Sequence, residues 1–148
     1  MLFGKRERTI RRILIVEDEP LVAFDNEYRL ADAGYEVVAT VDTLVEAQRV
    51  IEAELLHLVL TDIRLAGDGD GTDVARAAAA RGVPVLFVTG NCPVEARALA
   101  LGCLAKPYTD KELKAALEAL DLRLSGEKVK KVPAGLSLYE HSGMPPRT

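Results

Sequence analysis

Four groups of reactive side chains stand where short apolar runs stop. Asp62 closes Leu56-His57-Leu58-Val59-Leu60-Thr61 and is followed by Ile63-Arg64 and the glycine-rich stretch Ala66-Gly67-Asp68-Gly69-Asp70-Gly71. Glu17-Asp18-Glu19 follows Ile13-Leu14-Ile15-Val16, Thr89-Gly90 follows Val85-Leu86-Phe87-Val88, and Lys106-Pro107 follows Cys103-Leu104-Ala105. Asp62 alone would only open a turn, since Asp beside Gly is ordinary turn chemistry. Together, the four run ends place acids, a hydroxyl and an ammonium where a site would form. A carboxylate can attack phosphorus and become an acyl phosphate. Its obstacle is the negative charge of the phosphoryl donor, which calls for a cation. Oxygen ligands from Glu17, Asp18 and Asp62 suit Mg²⁺, a hard ion that takes one or two carboxylates and keeps several waters. Lys106 adds a compact ammonium and Thr89 a hydroxyl donor.

The elements that would carry these groups follow from the pattern. Short apolar runs bounded by turn residues fit strands of a parallel sheet, covered on both faces and free of strict alternation. Sites in such sheets lie beyond the C-terminal ends of the strands. Between the runs, helices are expected from Pro20 to Ala33, from Thr43 to Ala53 and through Ala77-Ala78-Ala79-Ala80 to Gly82, the last capped by Thr72 or Asp73. Leu21, Phe24, Tyr28 and Ala31 form one stripe at helical spacing and are expected to face the sheet, as are Leu44, Ala47, Val50 and Ile51. Tyr35 to Val41 reads as a strand, and Thr109 or Asp110 would cap a last helix burying Leu113, Ala116, Leu117 and Leu120. Cys92-Pro93 opens a helix that must end by Gly102, barely two turns on, which must lean on packing.

The order Glu17-Asp18, Asp62, Thr89, Lys106-Pro107 resembles the receiver domain of bacterial two-component response regulators. The resemblance implies an α/β fold with a doubly wound five-stranded parallel sheet in the order 2-1-3-4-5 and, here, a shortened fourth helix. It implies Asp62 as phosphoacceptor, with Asp18 and Asp62 binding Mg²⁺ directly, Glu17 through water, and the backbone carbonyl of Arg64 as a further ligand. Lys106, held by a cis bond to Pro107, and Thr89 would meet the phosphoryl group. Gly90 would leave access to it, while Arg64 and Asn91 would influence how quickly water removes it.

One position departs from the family. The aromatic that receivers place three residues before the lysine is Cys103 here, so coupling of Thr89 to a turning ring is expected to be absent. Pro84-Val85-Leu86-Phe87-Val88-Thr89-Gly90 is similar to the Phe-Ala-Thr-Gly strand of a proteobacterial single-domain subgroup that lacks this aromatic and is served by HWE-type histidine kinases; Val88 replaces the Ala. In place of the ring, phosphorylation is expected to change order across Asn91 to Leu101. The expected function is a stand-alone phosphoacceptor that takes phosphate from a sensor histidine kinase. It would signal by protein contact or drain the kinase as a phosphate sink, and it would not be a multiple-turnover enzyme. Two alternatives are a phosphoaspartate hydrolase of the haloacid-dehalogenase type, which would carry Asp-x-Asp where this chain has Glu17-Asp18-Glu19, and a phosphorylation-silent pseudo-receiver used for binding.

Bulk properties agree with this reading. At 148 residues one domain can bury on the order of 70% of its unfolded surface without metals or disulfides. A net charge of −4 and a pI near 5.3 argue against a surface that tracks nucleic acid. No apolar run approaches a membrane span and no signal peptide is evident, so a cytoplasmic protein is expected. Cys92 and Cys103 lack the spacing of a zinc ribbon or redox motif and are expected to be buried or idle thiols. The chain divides into a basic, solvated arm (1–11), the receiver (12–124) and a tail (125–148) without an output domain, whose Val129, Val132, Leu136, Leu138 and Tyr139 could dock on the domain or on a partner. A homodimer is compatible with all of this.

Overall fold

The computed structural model describes residues 7–140. Its elements in chain order are β1 (Arg12–Val16), α1 (Pro20–Asp32), β2 (Glu36–Val41), α2 (Leu44–Ala53), β3 (Leu58–Thr61), α3 (Gly71–Ala80), β4 (Val85–Thr89), a 3₁₀ helix (Val94–Ala98), β5 (Gly102–Ala105), α4 (Asp110–Leu124) and β6 (Leu136–Leu138). The strands form one sheet ordered β2-β1-β3-β4-β5-β6. The first five are parallel in the expected order; β6 runs antiparallel against β5, with Ser137 opposite Cys103.

Alternation along the buried strands splits the core into two layers. Ile13, Ile15, Leu58 and Leu60 pack with Leu30 of α1 and with Leu113, Ala116, Leu117 and Leu120 of α4. Leu14, Val16, Val59 and Phe87 pack with Ala47 and Ile51 of α2 and with Val74, Ala75 and Ala78 of α3. Each fully buried Leu or Ile stabilises the fold by about 1.5–3 kcal/mol. Helices on both faces leave only the strand ends open, which puts the residues after β1, β3, β4 and β5 on one rim.

Several local expectations are corrected. On α1 the buried residues are Ala23, Asn26 and Leu30, whereas Leu21, Phe24 and Tyr28 are 79%, 68% and 67% exposed and Ala31 is also outside. Both stripes fit the helical period. Asn26 decides between them, because its amide Nδ2 donates to Tyr108 Oη at 2.8 Å and so can be buried without loss.

The cap of α3 is Asp70, two and three residues earlier than Thr72 and Asp73. Its carboxylate accepts from the backbone N–H of Thr72 and Asp73, and Asp73 returns a bond to the Asp70 N–H. Of the two expected caps of α4, Thr109 rather than Asp110 takes the position, with Glu112 completing the box.

Within residues 7–11 the solvated arm holds for the side chains of Glu7, Thr9 and Arg11, which are exposed, and is corrected at Arg8 and Ile10; the rest of the arm lies outside the described residues. Ile10 is fully buried, and the carboxylate of Asp121 on α4 accepts the backbone N–H of Thr9 at 3.1 Å and of Ile10 at 2.8 Å. Arg8 lies over the Tyr35 ring, 4.2 Å from its centre, and donates to the Ala33 carbonyl at the end of α1.

Among the described residues, the tail docks on the domain itself through β6 and Tyr139; residues 141–148 lie outside the described residues. Leu136 and Tyr139 are buried, and Gly102 lets β6 approach, since a Cβ there would stand 2.6 Å from the Ser137 carbonyl oxygen. The fourth helix is shortened further than a two-turn helix, to the single 3₁₀ stretch. The two cysteines are not thiols: Cys92 and Cys103, the latter buried as expected, form a disulfide with Cα atoms 6.1 Å apart.

Candidate functional site

Asp62 is delivered by β3. Its backbone N–H donates to the Val16 carbonyl at 3.0 Å, continuing the ladder with β1 one residue past the strand. Its Oδ1 accepts from Ile63 N at 2.6 Å. The start of α3 seats beneath it: Gly71 N donates to Ile63 O at 2.6 Å, and a Cβ on Gly71 would lie 2.0 Å from the Asp62 carbonyl oxygen. Only glycine allows that approach. Glu17 is placed by β1, its N–H donating to Val41 O at 2.9 Å and its Oε2 accepting from Glu19 N at 3.1 Å.

Lys106 enters from β5, where its N–H donates to the Thr89 carbonyl at 2.8 Å and its peptide bond to Pro107 is cis. Its ammonium donates to Asp62 Oδ2 at 2.7 Å and to Glu19 Oε1 at 2.9 Å, and lies 3.1 Å from Glu17 Oε1. Burial alone would lower the Lys106 pKa, but hydrogen bonds to Asp62, Glu19 and Glu17 outweigh it and hold the group above its ordinary value, so it stays a cation. Burial pushes the Glu17 carboxyl upward, with Lys106 pulling the other way.

Thr89 is 8% exposed at the end of β4, paired with Ala105, one residue before Lys106. Gly90 opens the following loop, and a Cβ there would meet nothing within 4 Å. Asn91 and Arg64 are exposed on the adjoining loops, and Pro107 lies exposed beyond Lys106. Cys103 is different. It is fully buried in the layer that holds Phe87, Ala96 and Tyr139, inside β5 rather than on the rim.

The residues present fit a divalent cation. Glu17, Asp18 and Asp62 each offer a carboxylate oxygen within 4.8 Å of the others. Glu17 Oε1 is buried and accepts no hydrogen bond, because Lys106 Nζ, though near, is off the bonding direction. A buried carboxylate oxygen that is ion-paired but accepts no hydrogen bond, set among other carboxylates, is what a hard cation would satisfy.

Three contributors escaped the sequence reading. Glu19 is a partner of Lys106, and its signal was membership of the acid run. Gly71 is the glycine of the Asp62 loop that contact makes obligatory. Tyr108 exchanges hydrogen bonds with Asn26, 2.8 Å and 3.1 Å, and so ties α1 to the segment holding Lys106. No spacing in the chain announces that pair.

Comparison with known proteins agrees with this geometry. The response regulator receiver domain profile matches residues 13–118. The chain belongs to the response regulator receiver family. It is 38% identical over 79 residues to the phyllosphere-induced regulator PhyR of Methylorubrum extorquens, covering 52% of this chain and 30% of PhyR. It is 32% identical over 114 residues to the transcriptional regulatory protein PdtaR of Mycobacterium tuberculosis, covering 73% of this chain and 55% of that one. The chain thus spans about half or less of the length of these curated relatives. Among solved structures, it resembles the receiver domain of the sensor histidine kinase PA1611 of Pseudomonas aeruginosa PAO1, which has a magnesium ion coordinated in its active-site cleft. The TM-score there is 0.64 at 31% identity, over 73% of this chain and 94% of that one.

Proposed function

We propose that this receiver is a phosphoacceptor, Asp62 taking a phosphoryl group from the phosphohistidine of a sensor histidine kinase. The carrying observation is the 2.7 Å pairing of Lys106 with Asp62 in a pocket that also holds Glu17 and Asp18. Asp62 acts as nucleophile, forming a new bond from a carboxylate oxygen to phosphorus as the bond to the donor's imidazole nitrogen breaks. Lys106 is already in place to neutralise charge on the transferred group, and Thr89 offers its hydroxyl from the neighbouring strand end. Gly90 leaves the approach clear. Asp18 and Asp62 directly, Glu17 through water and the Arg64 backbone carbonyl would hold Mg²⁺, which would supply charge neutralisation for the phosphoryl oxygens.

The donor protein's landing surface is the outer face of α1. Leu21, Phe24 and Tyr28 are large, exposed and unpartnered. The helix begins at Pro20, directly after Glu19, which bonds Lys106. An apolar face continuous with the pocket suits a helical kinase partner of matching apolar character. The Pro84 to Gly90 stretch favours an HWE-type kinase. The protein would work in the cytoplasm, signal by protein contact or serve as a phosphate sink, and turn over only its own acyl phosphate.

The test is incubation with acetyl phosphate and Mg²⁺, read by intact mass, with wild type and Asp62→Ala side by side. One phosphoryl group per chain, lost in the variant, is the expected result. Multiple turnover without an adduct would indicate a hydrolase, and no reaction at all a silent binding module; either outcome replaces this proposal.

A further inference from the structure

We propose that Cys92–Cys103 is a thiol–disulfide exchange site whose state controls the phosphoacceptor pocket, its substrate class being a small or protein dithiol. The site rests on the phosphoacceptor reading only for its consequence, not for its chemistry.

Position is the first argument. The bond joins the loop after β4 to the interior of β5. Cys92 lies three residues beyond Thr89, and Cys103 three residues before Lys106. Thr89 and Lys106 are the two groups that would contact a phosphoryl group from this side of the pocket, and the Lys106 N–H already bonds the Thr89 carbonyl. The disulfide therefore closes a ring of chain, residues 92–103, whose two roots carry those groups. From Asn91 to Leu99 the chain holds one 3₁₀ stretch, Val94 to Ala98, and buries one side chain, Ala96, with Val94 73% exposed; Ala100 and Leu101 rejoin the core, Leu101 N donating to Val85 O at 2.9 Å. Without the covalent closure, the 91–99 part, with one buried side chain, has a low opening free energy.

Access is the second. Cys103 is fully buried, but Cys92 is half-buried and lines a groove of about 480 Å³ between the 3₁₀ stretch and β6, with Arg97, Ser137 and Tyr139. An incoming thiolate can thus reach the Cys92 sulfur and not the Cys103 sulfur. Arg97 on the groove wall favours an attacking anion and, after exchange, the Cys92 thiolate.

The reaction balances as two exchanges. A thiolate of the dithiol attacks Cys92 Sγ, the Cys92–Cys103 bond breaks, and Cys103 leaves as a thiolate that takes a proton. The dithiol's second thiol then attacks its own sulfur in the mixed disulfide, releasing Cys92 and leaving the reductant as a cyclic disulfide. Two electrons and two protons pass from the dithiol to the protein. The reduced form frees Cys92 and loosens residues 91–99. The change in order expected there on phosphorylation thus belongs to the dithiol form, while the disulfide form is held closed.

The experiment uses the full chain, air-oxidised or treated with dithiothreitol, with thiols counted by alkylation and mass. In the oxidised protein no thiol should be labelled. Reduction should expose two, raise amide hydrogen exchange across residues 91–99 by roughly tenfold or more, and change the rate of phosphoryl uptake or loss from acetyl phosphate by at least about threefold. Cys92→Ser, which alters only the half-buried partner, should behave as the reduced form with or without dithiothreitol. Two free thiols in the oxidised protein, or a verified disulfide whose reduction leaves exchange in 91–99 unchanged, would overturn the proposal. So would a loosened segment with identical phosphoryl kinetics in both states. If neither form takes up phosphate, the phosphoacceptor reading fails and the hydrogen-exchange result still decides the latch.

Discussion

Lys106 Nζ stands 2.7 Å from Asp62 Oδ2 and is shared with Glu17 and Glu19, so one cation occupies the centre of the acidic pocket. It has two opposed effects. It aids a phosphoryl group arriving at Asp62, and it repels a metal from the same carboxylates. Lys106→Ala should slow phosphoryl uptake from acetyl phosphate by on the order of 100-fold while tightening Mg²⁺ or Mn²⁺ binding, measured by calorimetry. Loss of both properties together would mean that the lysine merely holds the pocket's shape.

Two glycines near the site should respond differently to a single methyl. At Gly71 a Cβ would sit 2.0 Å from the Asp62 carbonyl, whereas at Gly90 it meets open space. Gly71→Ala should lower unfolding free energy by about 1–3 kcal/mol, and Gly90→Ala should change it by less than about 0.5 kcal/mol. Urea denaturation of the two variants checks this, and equal midpoints would show that α3 does not seat beneath Asp62 as described.

The bottom of the sheet predicts a pH dependence. His57 Nδ1 accepts the backbone N–H of Arg11 at 3.1 Å and of Arg12 at 2.9 Å, so that nitrogen must be unprotonated. Burial first, then the charges of Arg11 and Arg12, lower its pKa from the ordinary 6.5. As pH falls, the unfolded chain takes up its proton first. The contribution of neutral His57 is therefore complete above about pH 6.5 and lost as pH drops below it through the folded-state value. Stability measured at about pH 7.5 and 5.5 should differ less in His57→Asn than in wild type; an unchanged difference would assign the slope to other groups.

The outer face of α1 should matter to a partner and not to folding. Phe24→Asp replaces a ring that is 68% exposed. Unfolding free energy should move by no more than about 0.5 kcal/mol, whereas phosphotransfer from a purified cognate kinase should fall at least about tenfold. Undiminished transfer would place the donor's footprint elsewhere.

The amino-acid order alone determined the first five strands, their parallel arrangement and the rim residues, though not the antiparallel β6, because apolar runs ending on Glu17-Asp18, Asp62, Thr89 and Lys106 are local patterns with a local physical cause. The cap of α4 was narrowed to Thr109 or Asp110 for the same reason, and the structure selects Thr109. What escaped it depended on which surfaces meet. Two stripes on α1 satisfy one helical period, and only the bond from Asn26 to Tyr108, 82 residues away, selects the buried one. Asp121 captures the N–H groups of Thr9 and Ile10 across more than a hundred residues, which pins the end of a basic arm to α4 and buries Ile10. Cys92 and Cys103 become partners only because the chain leaving β4 returns through a turn too short to separate them before entering β5. Periodicity and end signals act over a few residues and can be read along the chain. Side-chain pairing across the sheet depends on register and packing, which exist only once the elements have met.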